Sequence, residues 1–154
     1  MLEVLRKFFD DQGWEYSQIK DSTIFFLGVS GENGNFRCIA DLDEENKRFS
    51  FFSVFGLNAP DEKKYQMAEL ITRMNVNEFL GNFEMDFEDG EIRYKTSVWY
   101  DGIKPSKKFI ENMTMINILT MDNAIPAITG LVFKNLSPLK GYELVNNISS
   151  KPQS

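Results

Sequence analysis

The dipeptide Asp89-Gly90 splits residues 81–101 into two runs in which apolar and charged side chains alternate. Asp-Gly is a strong local signal for a two-residue hairpin loop, because both central positions of that turn need positive φ. Such a loop fixes the strand register, and register decides which side chains share a face. It predicts Phe87 opposite Ile92, Met85 opposite Tyr94 and Phe83 opposite Thr96 on one face, with Asp86 opposite Arg93 and Glu84 opposite Lys95 on the other. An apolar face backed by a charged one is the signature of an antiparallel sheet covered on one side.

The remaining chain supplies partners for this hairpin. Residues 2–11 place Leu2, Leu5, Phe8 and Phe9 on one helical face, with Gly13 as the stop, and Trp14 and Tyr16 begin extended chain. Three apolar, β-branched or aromatic runs follow, Thr23 to Ser30, Asn35 to Asp43 and Lys47 to Phe55, separated by short turn-forming segments. In the second run Phe36, Cys38, Ala40 and Leu42 share a face, while Arg37, Ile39 and Asp41 lie on the other. The third carries Phe49, Phe51 and Phe55 on one side and Phe52 and Val54 on the other, so it is either a strand covered twice or one with an exposed apolar patch.

Asn58-Ala59-Pro60-Asp61 reads as a capped helix start, followed by the inward stripe Met67, Leu70, Ile71 and Met74. A third helix opens near Pro105 and runs through Phe109, Ile110, Met113, Ile116, Met121, Ile125, Ile128 and Val132, with a kink or break expected around 122–126 because Pro126 lacks an amide hydrogen. The expected fold is therefore α+β, an antiparallel sheet of about five strands with three helices in the order α-β-β-β-α-β-β-α. Residues 1–133 form one domain and 134–154 a partly flexible extension, loosest from Ser149 to Ser154.

Chemistry is sparse. The chain has no histidine, which removes the commonest general base and metal ligand. Cys38 sits mid-strand among apolar residues, the setting of an inert thiol. Ser17-Gln18-Ile19-Lys20 matches a Ser-x-x-Lys pattern but falls in predicted strand, where the serine cannot open a helix. Asp41-x-Asp43-x-Glu45 begins like a calcium loop, yet Asn46 stands where glycine is required and Phe52 where a bidentate glutamate belongs. The acids Glu84, Asp86, Glu88, Asp89 and Glu91 read as a solvated, cross-paired face. No glycine-rich phosphate loop is present. The expectation is no catalytic residue, no cofactor and no metal.

Charge narrows the partners. Residues 1–133 carry 14 basic and 22 acidic side chains, net −8, and the remainder is +2. An acidic surface repels phosphate backbones, so nucleic acid is not an expected partner. No run approaches 18 uninterrupted apolar residues, and Met1 to Asp11 is charged and amphipathic, so neither a membrane span nor a signal sequence is expected and the cytoplasm is the predicted compartment.

The segment Met74-Asn75, Phe79-Leu80-Gly81-Asn82-Phe83-Glu84 and Asp89-Gly90-Glu91-Ile92-Arg93-Tyr94 resembles the signature region of the bacterial YbjN family, and the order of elements resembles the fold of type III secretion chaperones. The resemblance implies a small, acidic, non-enzymatic domain that homodimerises, in a family described as sensory-transduction regulators. It supplies no catalytic residues. The leading expectation is a protein-binding or chaperone-like regulatory module, with Phe52, Val54 and Trp99 as interface candidates. Trp99 is included because it shares the Arg93 and Lys95 face, where indole is out of place on a solvated strand. The alternative is a small-molecule sensor or an enzyme using carboxylates with Tyr94 or Tyr100 in an apolar pocket.

Overall fold

The computed structural model describes residues 1–149. Helix α1 (Leu2–Asp11) leads into strands β1 (Tyr16–Gln18), β2 (Ile24–Ser30), β3 (Asn35–Asp43) and β4 (Arg48–Phe55). A 3-10 turn at Asp61–Lys63 precedes α2 (Lys64–Asn75), then come β5 (Asn82–Met85), β6 (Ile92–Trp99), α3 (Lys107–Lys134) and α4 (Pro138–Ser149). The fold is α+β, with all strand pairings antiparallel in one sheet ordered β1-β2-β3-β4-β6-β5. The expected order is present, with β1 and α4 added to it.

Alternation builds the core. Phe36, Cys38, Ala40 and Leu42 of β3, Phe49, Phe51 and Phe55 of β4, and Ile92, Tyr94 and Thr96 of β6 are all buried on the same side. Helices pack there. Phe9 of α1 meets Phe25 of β2 edge-on at 5.9 Å between ring centroids. Asn117 of α3, fully buried, donates through Nδ2 to Phe51 O at 2.9 Å and Tyr94 O at 3.1 Å, so one amide grips both central strands.

A second polar lock joins α3 to the β2–β3 turn. The Asp122 carboxylate, 5% exposed, accepts from Glu32 N at 3.1 Å, Asn33 N at 3.0 Å and Asn33 Nδ2 at 3.1 Å. Gly31 is required beside it, because a Cβ there would run into the carboxylate. At the far edge of the sheet Asn75 pairs with Phe83 as a strand would, its Oδ1 accepting from Phe83 N at 2.7 Å and its Nδ2 donating to Phe83 O at 3.1 Å.

Three local expectations are corrected. The hairpin register is offset by two residues: Met85 faces Ile92, Phe83 faces Tyr94 and Glu84 faces Arg93. An even offset keeps every strand side chain on its expected face, but it moves Asp86 and Phe87 into a longer turn, and Phe87 is 52% exposed. Asn58 does not cap a helix, since its amide donates to Asp89 O at 3.0 Å. Helix α3 does not break at Pro126; it continues to Lys134, where Asn135 in the left-handed region ends it.

Helix α3 starts one residue after its true cap, Ser106, whose hydroxyl accepts from Phe109 N at 3.1 Å. By length and composition it is long and apolar enough to cross a membrane, and 56% of its apolar 18-residue stretch is buried inside the fold. Helix α4 packs on α3 and α2, with Gly141 set against Leu70 and Ala127. Of the stretch 149–154 expected to be loose, residues 150–154 lie outside the described residues.

Candidate functional site

Among the described residues no helix covers the other face of the sheet. Its strand positions follow directly from register: Phe26, Ile39, Phe52 and Lys95 form one row, and Gly28, Arg37, Val54, Arg93 and Glu84 the next. Phe26 is 36% exposed, and Ile39 and Phe52 are half-buried. The result is an apolar strip across the middle of the sheet.

Ion pairs edge the strip. Arg37 meets Glu91 at 2.7 Å, Arg93 meets Glu84 at 2.8 Å, Lys95 also meets Glu84, and Arg48 meets Asp43 at 3.1 Å. The Arg93 guanidinium carbon lies 5.2 Å from the Phe52 ring centroid. Burial raises the pKa of Glu84, but hydrogen bonds from Lys95, Asn82 and Arg93 outweigh it and hold the carboxyl below its ordinary range. Exposed pairs of this kind each contribute about 0–1 kcal/mol, so they set the character of the face more than its stability. On a chain of net charge −6, each of the four cations on this face sits against a carboxylate.

The three interface candidates fall in different settings. Phe52 is central on the open face, half-covered by Arg93. Val54 points to the same face but is only 1% exposed, flanked in register by Arg37 and Arg93, side chains long enough to lay methylenes over it. Trp99, opposite Arg48 at the end of β6, is 70% exposed. Phe26 belongs with them and was legible in the alternation of Phe25, Phe26 and Leu27, whose odd positions face the core.

The groups considered for chemistry have other employment. Burial pushes the Cys38 thiol up to about 12, against a 3.4 Å contact with Ser53 Oγ. Tyr94 is fully buried and donates to Glu78 Oε2 at 2.8 Å, and burial and that carboxylate both raise its pKa. Tyr100 is 7% exposed and likewise raised by burial. Asp43 closes the β3–β4 turn by accepting from Asn46 N and Nδ2 at 2.9 and 2.8 Å. Among the described residues no three acidic or cysteine side chains converge as metal ligands.

No curated protein sequence matches the chain significantly. The fold is similar to the crystal structure of YbjN, described as "a putative transcription regulator from E. coli", at 11% identity and a TM-score of 0.53, covering 97% of this chain and 92% of that one. Residues 1–129 match the family model for YbjN, described as "Putative bacterial sensory transduction regulator". With that match over most of its length, and with the hairpin and helix order that the signature segment foretells, the chain belongs to the YbjN family.

Proposed function

We propose that this protein is a non-enzymatic regulatory module of the cytoplasm that works by binding protein chains, and that its open sheet face is where it does so, first of all with a second copy of itself. The observation that carries the reading is the contrast on β4: Phe51 is buried under α3, while Phe52 on the opposite side has no layer over it. Burying an apolar strip is favourable at about 25 cal/mol per Å², and a partner sheet or extended segment supplies the missing layer. The charges at the edge favour this, because cations already paired within the face need no counterion from the partner. Phe52 and Phe26, in one row of the face, supply the aromatic area typical of an interface centre, and Trp99 extends it at the end of β6.

The test is light scattering coupled to size exclusion at micromolar concentration, on the wild type and on Phe52→Glu. The expected result is a mass near twice 17.8 kDa for the wild type and a folded monomer for the variant. A wild type that stays monomeric, or a variant that stays dimeric, sinks the self-association reading of this face.

A further inference from the structure

The turn between β5 and β6 is held with unusual thoroughness by one short segment. Asn58 Nδ2 donates to Asp89 O at 3.0 Å, and Ala59 N to Gly90 O at 2.8 Å. Lys64 Nζ donates to Phe87 O at 2.8 Å and to Glu88 O at 3.0 Å. Four successive carbonyls are thus taken, by a segment whose lysine is only 9% exposed. The turn's own amides are engaged as well: Glu88 N and Glu91 N bond the Asp86 and Asp89 carboxylates at 2.8 Å, and Gly90 N bonds Asp86 O at 2.8 Å. Gly90 takes φ +80°, and a Cβ there would strike the Ala59 carbonyl. With these backbone groups engaged, the tip is fixed and its side chains stand outward.

Those side chains are aromatic and acidic. Phe87 rests against Tyr65 at 5.8 Å between centroids, and the two are 52% and 83% exposed. Next to Phe87 a hollow of about 450 Å³ is lined by Glu84, Met85, Asp86, Glu91 and Arg93. Arg93 and Arg37 engage Glu84 and Glu91, and Lys64 engages Asp61 at 2.7 Å. Asp86, Glu88, Asp89 and Glu62 have no ion-pair partner among the described residues, which leaves uncompensated carboxylates around an exposed pair of rings.

We propose that Tyr65, Phe87 and the adjoining hollow form a docking platform for an extended peptide segment that carries arginine or lysine. A guanidinium laid on the Phe87 ring gains a cation–π contact and charge-assisted hydrogen bonds to carboxylates on either side. The fixed turn loses little freedom on binding, which is the advantage of a preorganised surface. Acidic segments and phosphate backbones meet repulsion from the same carboxylates. The platform borders the open sheet face through Glu84 and Arg93 but uses neither Phe52 nor Trp99 and needs no dimer, so variants at Phe87 and Tyr65 test it separately from self-association.

The probe is the fluorescein-labelled hexapeptide Arg-Leu-Arg-Leu-Arg-Leu, with its Lys and Glu counterparts, titrated with the full chain by fluorescence anisotropy. The arginine peptide binds, the lysine peptide binds more weakly and the glutamate peptide does not bind. Phe87→Ala and Tyr65→Ala each raise Kd about two- to fivefold, the size of an exposed cation–π contact. Glu88→Gln raises it by about twofold, and Phe79→Ala, which removes an even more exposed ring elsewhere, leaves it unchanged. Urea melts establish that each variant is folded. Failure of the arginine peptide to bind, equal binding of the glutamate peptide, or undiminished binding to a folded Phe87→Ala protein overturns the proposal.

Discussion

Phe51 and Phe52 are neighbours on one strand, yet they live in different solvents. Phe51 lies at 0% exposure beneath α3, where Asn117 holds its carbonyl, and Phe52 faces outward under one guanidinium. On the covered side polar groups are few, and those discussed are tied into specific long-range bonds. On the open side they are numerous, charged and paired in the plane of the sheet. The lesson is that a packed core and a solvent-facing apolar strip are separated here by the thickness of a single sheet, so substitutions one residue apart are expected to report on different properties.

The sharpest way to break the comparison is to truncate both rings. Phe51→Ala is expected to cost about 3–5 kcal/mol, the range for a fully buried aromatic, and Phe52→Ala about 1 kcal/mol or less in the isolated subunit. Urea unfolding at low protein concentration, where association does not contribute, measures both. Equal losses would mean that the two faces are not energetically distinct.

Next in size is the Asp122 lock. Asp122→Ala strands two backbone amides and the Asn33 side chain, and is expected to cost about 2–4 kcal/mol. Gly31→Ala should destabilise the wild type by driving a methyl group into the carboxylate, and should cost much less in the Asp122→Ala background. A double-mutant cycle in urea checks this; additive losses would refute the direct contact.

The smallest expected effect is acid dependence of the open face. The Glu84 carboxyl is lowered from an ordinary value of 4.5, so its contribution is fully present above that pH and is lost as pH falls through the lowered value. Glu84→Gln is expected to lower stability by less than about 1 kcal/mol near neutrality and to make progressively less difference as pH falls below about 4.5, so that its profile is flatter on the acid limb. Melting curves between neutral pH and the acid limb read the difference.

The covered face was the more legible of the two in the sequence. Alternation in β3 and β4 names its residues correctly, because burial on one side of a strand writes a period of two into the chain. The hairpin register departs from the sequence expectation for a physical reason: Asp89-Gly90 specifies a short loop locally, whereas Asn58, Ala59 and Lys64 select a longer one from a distance of 23 to 31 residues in sequence. The same competition diverted Asn58 from the helix start. Pro126 predicts a kink or break because a missing amide hydrogen is a local loss; burial of Ile125, Ala127 and Ile128 on the same turn favours continuity. On the open face, Phe52 and Trp99 could be singled out, but Val54 could not be recognised as covered, since register neighbours such as Arg93 are not adjacent in sequence.

The Asn75 amide has a consequence for how this molecule ages. A sheet edge is a template for further strands, and a phenylalanine-rich chain with a free edge invites fibrillar growth. At β5 the outward N–H and C=O of Phe83 are already answered by a side chain. A strand arriving there from an unfolded neighbour finds the outward Phe83 groups already occupied, so that border of the sheet is blunted against amyloid-like accretion by a single residue of the helix that precedes it.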